Sequence, residues 1–107
     1  AGLSERFIQT NVVLVPGCFH ETLRQYHGSI ALLSLDCDLY ESYQEAFQWL
    51  VPHVRPGGRI LFDEHGLTHH RQKYPGAVKA VEEFVAQRKL PLHADPIYGT
   101  SWTQLPS

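Results

Sequence analysis

The stretch Ile30-Ala31-Leu32-Leu33-Ser34-Leu35-Asp36-Cys37-Asp38 decides the fold. Its first six residues are almost all apolar, and such a run is typical of a strand that is buried on both faces, as strands in parallel sheets are. Two acids, Asp36 and Asp38, follow the run directly. In an open α/β sheet, ligands bind beyond the carboxyl ends of the strands, so these acids stand where such a fold carries its chemistry.

Further strands and helices alternate along the chain. The other strand segments are Val12–Val15, Arg59–Phe62 after the turn Pro56-Gly57-Gly58, and an antiparallel hairpin of Leu92–Tyr98 and Ser101–Leu105 around Gly99-Thr100. Apolar residues at helical spacing predict helices over Ser42–Val51, with Ser42 as N-cap, over Ala77–Arg88 and, more weakly, over His20–Tyr26. The alternation predicts an α/β fold of one domain over residues 1–107, with a mostly parallel sheet and a carboxyl-terminal antiparallel hairpin.

The composition excludes several function classes. The net charge of the 107 residues is −2, so the chain has no basic footprint for nucleic acid. No apolar run is long enough to span a bilayer, and no signal peptide is visible. The two cysteines, Cys18 and Cys37, lack the spacing of a zinc or redox site and fit a reducing compartment. We therefore expect a cytoplasmic protein without a nucleic-acid or membrane partner.

A second pair of acids, Asp63 and Glu64, follows the next strand along the chain. If the two strands are neighbours, the carboxylates of both pairs converge. Acids that close repel one another unless a cation compensates, and a divalent ion with oxygen ligands, such as Mg²⁺, would do so. One pair alone is more typical of a turn or a helix cap. Two pairs after two successive strands favour a metal or catalytic role.

Two other interpretations remain open from the residues alone. An Asp-x-Asp after a buried strand resembles the nucleophile and acid of haloacid dehalogenase-type phosphatases. However, Tyr40 stands where those enzymes usually have Thr or Ser, and no convincing downstream lysine motif follows. The second alternative is a non-catalytic metal-binding or interaction module that keeps the acids but performs no reaction.

Several motifs occur in the order known from one enzyme family. They are Leu14–Phe19 with Glu21-Thr22-Leu23, Leu35–Ser42, Val54–Gly58, Phe62–Gly66 and Pro75–Phe84. Together they resemble the macrocin O-methyltransferase family, whose members are class I, S-adenosylmethionine-dependent enzymes that methylate sugar hydroxyls on antibiotics. Two positions depart from the family pattern, because Cys37 replaces a glycine and Glu64 replaces an aspartate.

The resemblance implies a role for each acid. A magnesium ion would bind Asp36, Asp63 and Glu64. Asp38 would be the general base that takes the proton from the hydroxyl of a small-molecule acceptor. The metal would lower the pKa of that hydroxyl, so that a weak base suffices.

Other candidate site residues come from the same resemblance. They are Cys18 and Phe19, which match the turn that borders the adenine of the cofactor, and Tyr40 and His65 as substrate contacts. Packing at the start of a helix would also explain Tyr40, and an exposed loop would explain His65. The pair His69-His70 is expected to lie in a solvated loop between Gly66 and Tyr74.

The family's glycine-rich turn after the first strand is not found in this sequence. We therefore expect a partial Rossmann-like class I methyltransferase sheet that lacks its first two strands. A fragment, a truncated gene product and half of a split enzyme all fit this pattern. The isolated chain is expected to be inactive and to use S-adenosylmethionine only when the missing half is supplied. Its strand Ile30–Leu35 would then expose an edge to Val12–Val15, to a second copy in a homodimer or to the missing half.

Overall fold

The predicted alternation of strands and helices is present in the computed structural model, which describes residues 19–65, 70–95, 97 and 99–107. Its strands are β1 (Ile30–Leu35), β2 (Val54–Phe62), β3 (His93–Ala94) and β4 (Ser101–Gln104). Its helices are α1 (Phe19–Thr22), α2 (Tyr40–Trp49), α3 (His70–Lys73) and α4 (Pro75–Arg88), with 3-10 turns at Leu23–Gln25 and Val51–His53. The expected strand Val12–Val15 lies outside the described residues.

The four described strands form one mixed sheet in the order β1-β2-β4-β3. β1 pairs with β2 in parallel, with Leu33 opposite Ile60 and Leu35 opposite Phe62. β4 pairs antiparallel with both β2 and β3. The sheet confirms the predicted α/β class, in which parallel strands are followed by an antiparallel carboxyl-terminal hairpin.

The strand β2 begins five residues earlier than predicted, and the expected turn Pro56-Gly57-Gly58 lies inside it. Ile30 is opposite Val54, whereas Leu32 is already opposite Arg59, so β2 carries extra residues in an irregularity of the pairing. Gly57 has a φ of 78°, a conformation that glycine adopts without steric cost. The glycines thus bend the strand without ending it.

The predicted N-cap of the first long helix is wrong, because α2 begins at Tyr40 and Ser42 lies within its first turn. The cause is a tight turn just before the helix. Asp38 has a φ of 63°, and the Leu39 N–H donates to the Cys37 carbonyl at 2.7 Å. The chain therefore enters the helix two residues before the serine, and no side chain caps it.

The second long helix, α4, confirms the prediction and adds Pro75 and Gly76 at its start. A Cβ atom on Gly76 would lie 3.2 Å from both the Cβ and the backbone nitrogen of Tyr40. The amino-terminal turns of α2 and α4 therefore approach closely because this position has no side chain.

The core lies on one face of the sheet, between the strands and the helices α2 and α4. Its rings come from Tyr43, Phe47, Phe62 and Phe84, and the rings of Phe47 and Phe84 stack at 4.2 Å. The expectation that β1 is buried on both faces is wrong. Leu33 and Leu35 are buried, but Leu32 is 59% exposed because α2 and α4 pack on the opposite face.

The carboxyl-terminal hairpin is confirmed with a shorter first arm. Only His93 and Ala94 pair with β4, where the prediction extended the arm over Leu92–Tyr98. Asp95 ends the arm, because its carboxylate accepts the N–H of Ile97 at 2.8 Å and its backbone N–H donates to the Thr100 carbonyl. This side chain favours a turn over further strand pairing.

Candidate active site

The carboxyl ends of β1 and β2 carry the two predicted acid pairs to one place. The parallel register sets Leu35 opposite Phe62, and the Asp63 N–H donates to the Leu35 carbonyl at 3.0 Å. The segments beyond the strands therefore start side by side. One carboxylate oxygen from each of Asp36, Asp38 and Glu64 lies within 4.8 Å of the others.

Asp63 joins this group through Asp36. Partial burial raises the pKa of Asp63, and the neighbouring Asp36 carboxylate, with which it forms a hydrogen bond, raises it further. Asp36, Asp38 and Asp63 are exposed, whereas Glu64 is buried. The predicted convergence of four acids is thus present, although Asp63 does not share the 4.8 Å cluster. Their individual roles stay a prediction.

The left-handed turn at Asp38 is held by Glu64. The Asp38 N–H donates to Glu64 Oε1 at 3.0 Å, across 26 residues of sequence. A φ of 63° is uncommon for a residue other than glycine, and aspartate is among the side chains that tolerate it best. The turn places Asp38 directly before α2, so the expected general base has a fixed backbone.

Glu64 is only 2% exposed, and its second oxygen accepts a hydrogen bond from the Tyr43 hydroxyl. Burial raises the pKa of Glu64 to about 8, and its hydrogen bonds with Asp36 and Asp38 act in the same direction. Burial also raises the pKa of Tyr43 far above its usual range, so the hydroxyl keeps its proton. This contact cannot be read from the sequence, because the helical spacing of Tyr43 indicates only that its side chain faces the core.

The chemistry of the four acids fits a divalent cation. They offer only carboxylate oxygens, the ligands that Mg²⁺ and related hard ions bind. Burial is the main cause of the raised pKa values of Asp63 and Glu64, and the neighbouring acids add to it, so the ionised forms are disfavoured without a nearby positive charge. A cation would remove this electrostatic penalty, so the residues present are suited to hold one.

A cysteine, Cys37, stands between the two aspartates. Burial raises the pKa of the Cys37 thiol to about 12, and the charge of Glu64 raises it further. The thiol therefore stays protonated and packs beside the core. The expected cofactor contacts of Cys18 and of the Phe19 side chain lie outside the described part of the structure.

His65 contacts two other elements, β4 and α4. Its Nδ1 lies 2.9 Å from Ser101 Oγ on β4, and its Nε2 lies 3.8 Å from Glu82 Oε2 on α4. Burial lowers the pKa of His65, which favours the neutral form of the ring. No described contact joins it to the acid cluster, and its substrate role stays a prediction.

Tyr40 connects the two long helices. Its hydroxyl donates to Glu83 Oε1 at 2.6 Å, and the ammonium of Lys79 lies 5.4 Å from the centre of its ring. Both partners belong to α4, so the packing explanation accounts for this residue. A substrate contact of Tyr40 remains untested.

The expectation of a solvated His70 is wrong. This residue begins α3 and is 8% exposed, and its ring lies 6.1 Å from the ring of Tyr74. A short helix buries it against Tyr74, whose N–H donates to the His70 carbonyl. A positive charge on His70 would lower the pKa of Asp63, so this histidine lies near the acid cluster. His69 lies outside the described residues.

Comparison with known protein families gives the family of the chain. The sequence model described as macrocin-O-methyltransferase (TylF) matches residues 5–103 of the chain. The chain belongs to the macrocin-O-methyltransferase family. This membership confirms the resemblance seen in the ordered motifs, and it replaces the phosphatase interpretation of the Asp-x-Asp sequence.

The chain is similar to a curated enzyme that is named as an O-methyltransferase. A curated enzyme of Streptomyces olivaceus, 8-demethyl-8-(2,3-dimethoxy-alpha-L-rhamnosyl)-tetracenomycin-C 4'-O-methyltransferase, is 36% identical over 61 residues. That alignment covers 56% of this chain and 23% of the relative.

Two solved structures share the fold. The O-methyltransferase NovP superposes with a TM-score of 0.72 at 24% identity, over 95% of this chain and 43% of NovP. CalS11, a TDP-rhamnose 3'-O-methyltransferase of calicheamicin biosynthesis, superposes with a TM-score of 0.69 at 26% identity, over 84% of this chain and 40% of CalS11. The chain therefore spans less than half the length of these relatives.

None of the helices in the described residues is both long enough and apolar enough to cross a bilayer. The cytoplasmic location inferred from the cysteines stays a prediction.

Proposed function

We propose that this chain forms the cation-binding and proton-accepting part of an S-adenosylmethionine-dependent O-methyltransferase that acts on a sugar hydroxyl. The observation that carries the proposal is the cluster of Asp36, Asp38 and Glu64 within 4.8 Å at the carboxyl ends of two parallel strands. Family membership supports the reaction class. The relatives named for rhamnose or rhamnosyl groups support a 6-deoxyhexose as the acceptor.

Each acid has a task in this proposal. Asp36, Asp63 and Glu64 would hold a divalent cation such as Mg²⁺, which when bound lowers the pKa of a hydroxyl beside it. Asp38 is exposed and stands on a fixed turn, so its carboxylate can accept the hydroxyl proton. Glu64 is buried, and its hydrogen bonds hold its carboxylate rigidly within the cluster.

Cofactor binding is assigned to a different part of the fold. Among the described residues, no glycine-rich turn links the end of a strand to a helix, so these residues provide no cradle for S-adenosylmethionine. NovP and CalS11 are more than twice as long as the stretch that this chain covers. We therefore expect methyl transfer only when an amino-terminal half of the fold is present.

The edge of β1 is where we place that half. Among the described strands, β1 pairs only with β2, and a cavity of about 710 Å³ runs along its free side. A second opening of about 510 Å³ lies over the uncovered sheet face, and Ala31 and Leu32 line both. A strand and a helix from the amino-terminal half would pair with the open edge and cover the apolar residues.

Calorimetric titration of the isolated chain tests the proposal. We expect Mg²⁺ or Mn²⁺ to bind, and the double variant Asp36→Asn/Asp63→Asn to abolish binding. S-adenosylmethionine should not bind to the chain alone, with or without Mg²⁺. A chain that binds no divalent cation would overturn the cation site. Retention of S-adenosylmethionine by the isolated chain would show that the cofactor site is not missing.

The alternative of a non-catalytic cation-binding module rests on the same four acids. It predicts cation binding without methyl transfer even when the amino-terminal half is supplied. Methylation of TDP-rhamnose by the reconstituted halves, with loss of turnover in Asp38→Asn, would decide for the enzyme.

A further inference from the structure

We propose that Tyr43 is a positioning residue of the cation site and acts through Glu64. This inference rests on the proposed function above. The Tyr43 hydroxyl donates to one oxygen of the Glu64 carboxylate, while the Asp38 N–H donates to the other. The glutamate is therefore held at both oxygens by groups from the segment that follows β1.

The position of the Tyr43 hydroxyl is set by the core. The residue is fully buried on α2, and its ring lies 5.7 Å from the ring of Phe47 and 6.4 Å from that of Phe62. A ring enclosed in this way has one available orientation. Its hydroxyl therefore presents a fixed donor at the boundary between the core and the acids.

Glu64 needs such a restraint more than an aspartate would. Its side chain has one more rotatable bond than aspartate, and each restrained torsion lowers the entropy that cation binding must remove. A carboxylate oxygen that accepts one hydrogen bond still has a free lone pair for a cation. The hydroxyl thus orients the carboxylate toward Asp36 and Asp38 without blocking it.

A purely structural role for the hydroxyl is the competing explanation. The hydroxyl oxygen also lies 3.3 Å from the Leu35 carbonyl, so it could satisfy its hydrogen-bonding capacity inside the core. In that case its removal would change stability and leave cation affinity as it is. The two explanations therefore differ in whether loss of the hydroxyl changes the cation affinity or only the stability of the fold.

The experiment compares Tyr43→Phe with the unmodified chain by calorimetric titration of Mn²⁺, with circular dichroism to verify folding. Removal of groups that orient metal ligands typically weakens metal affinity about 10–100-fold, and we expect a loss in this range. The control Trp49→Phe removes a hydrogen bond from the same helix, to Glu45, and should leave Mn²⁺ affinity unchanged.

Combining Tyr43→Phe with Glu64→Gln tests whether Tyr43 acts through Glu64 or lowers Mn²⁺ affinity by making the whole site more flexible. In Glu64→Gln, which loses the ligand charge, Tyr43→Phe should cause no further loss of Mn²⁺ affinity. An equal loss in both backgrounds would overturn the inference, as would unchanged affinity in Tyr43→Phe alone. A chain that never binds Mn²⁺ would instead overturn the proposed cation site together with this inference.

A variant of the glutamate covers the case in which Tyr43→Phe does not fold. Glu64→Asp withdraws the carboxylate from the hydroxyl while the tyrosine ring stays in the core. We expect it to bind Mn²⁺ about tenfold more weakly than the unmodified chain. Affinity that is unchanged or higher in Glu64→Asp would show that the contact with Tyr43 does not position the ligand.

Discussion

The two faces of the sheet differ sharply in how they are stabilised. On the covered face, Ile60 and Phe62 are fully buried under the aromatic residues of α2 and α4. On the open face, Leu32 is 59% exposed, and Trp102 is flanked by the guanidinium of Arg59 at 4.7 Å and the stacked ring of His93 at 4.3 Å. Within residues 19–65 and 70–107, as far as the structure describes them, α2 and α4 form one helical layer, whereas sheets of this α/β type normally have two.

This difference indicates which face of the sheet stabilises the fold and which face is available to a partner. The covered face contains the packing that fixes β1 and β2 side by side, and with it the acid cluster at their ends. Among the described residues, the open face contributes little burial and borders the edge of β1 that pairs with no described strand. Stability and the cation site should therefore depend on one face, and association with a partner on the other.

Adjacent residues of β2 give the largest expected contrast. Phe62→Ala on the covered face should lower the free energy of unfolding by about 3–5 kcal/mol, because it removes a fully buried ring. Leu61→Ala on the open face should cost about 1 kcal/mol, because the side chain is only half-buried. Urea unfolding of both variants measures the contrast, and equal losses would show that both faces are packed alike.

Charge at the open edge should weaken partner binding. Leu32→Lys is expected to reduce affinity for an amino-terminal half of a family member at least about tenfold, roughly 1.4 kcal/mol, because it buries a charge in an apolar contact. Gln48→Lys adds the same charge on the exposed side of α2 and should have no effect. Analytical ultracentrifugation reads out both variants. Self-association lost in Leu32→Lys alone would instead assign the edge to a second copy.

Glu64, at the end of the covered face, should make the free energy of unfolding depend on pH near neutrality. Its pKa in the folded chain is about 8, against an ordinary value of 4.5, so the folded state binds more protons between these values. The free energy of unfolding should therefore fall as pH rises from 7 to 8, a range above the lowered pKa of His65. Saturating Mg²⁺ or the variant Glu64→Gln should flatten the slope in urea unfolding. If the slope persists in Glu64→Gln, the pH dependence belongs to another titratable group.

The cation–π contact on the open face has the smallest expected effect. Arg59→Ala should lower the free energy of unfolding by about 0.5–1 kcal/mol, since the contact with Trp102 is partly solvated. Tryptophan fluorescence during urea unfolding measures the change. A loss close to that of Phe62→Ala would mean that the open face also carries the fold.

The sequence predicted the elements whose patterns are local. The bounds of β1, most of α4 and the convergence of the acids followed from an apolar run, a helical period and the geometry of parallel strands. Other features depend on contacts that no local pattern encodes. The left-handed Asp38 moved the start of α2, the glycines of β2 became a bend within a strand, and burial of β1 depended on which face has helices.

The candidate site shows the same limit. Four acids were predicted to converge, but the burial of Glu64 and its hydrogen bond with Tyr43 come from α2 folding over the end of β1. His65 and Tyr40 were linked to a substrate by their sequence positions alone. Their observed partners, Ser101 and Glu83, lie 36 and 43 residues further along the chain.

Because Gly76 lies so close to Tyr40, adding a single methyl group at this position would shift the backbone. A Cβ atom there would meet Tyr40 at 3.2 Å, so alanine would force the helix starts apart by a few tenths of an ångström. Because α2 begins two residues after Asp38, this displacement would reach the turn that carries the proposed base. Gly76, which has no side chain of its own, therefore helps to set the backbone geometry of the candidate site.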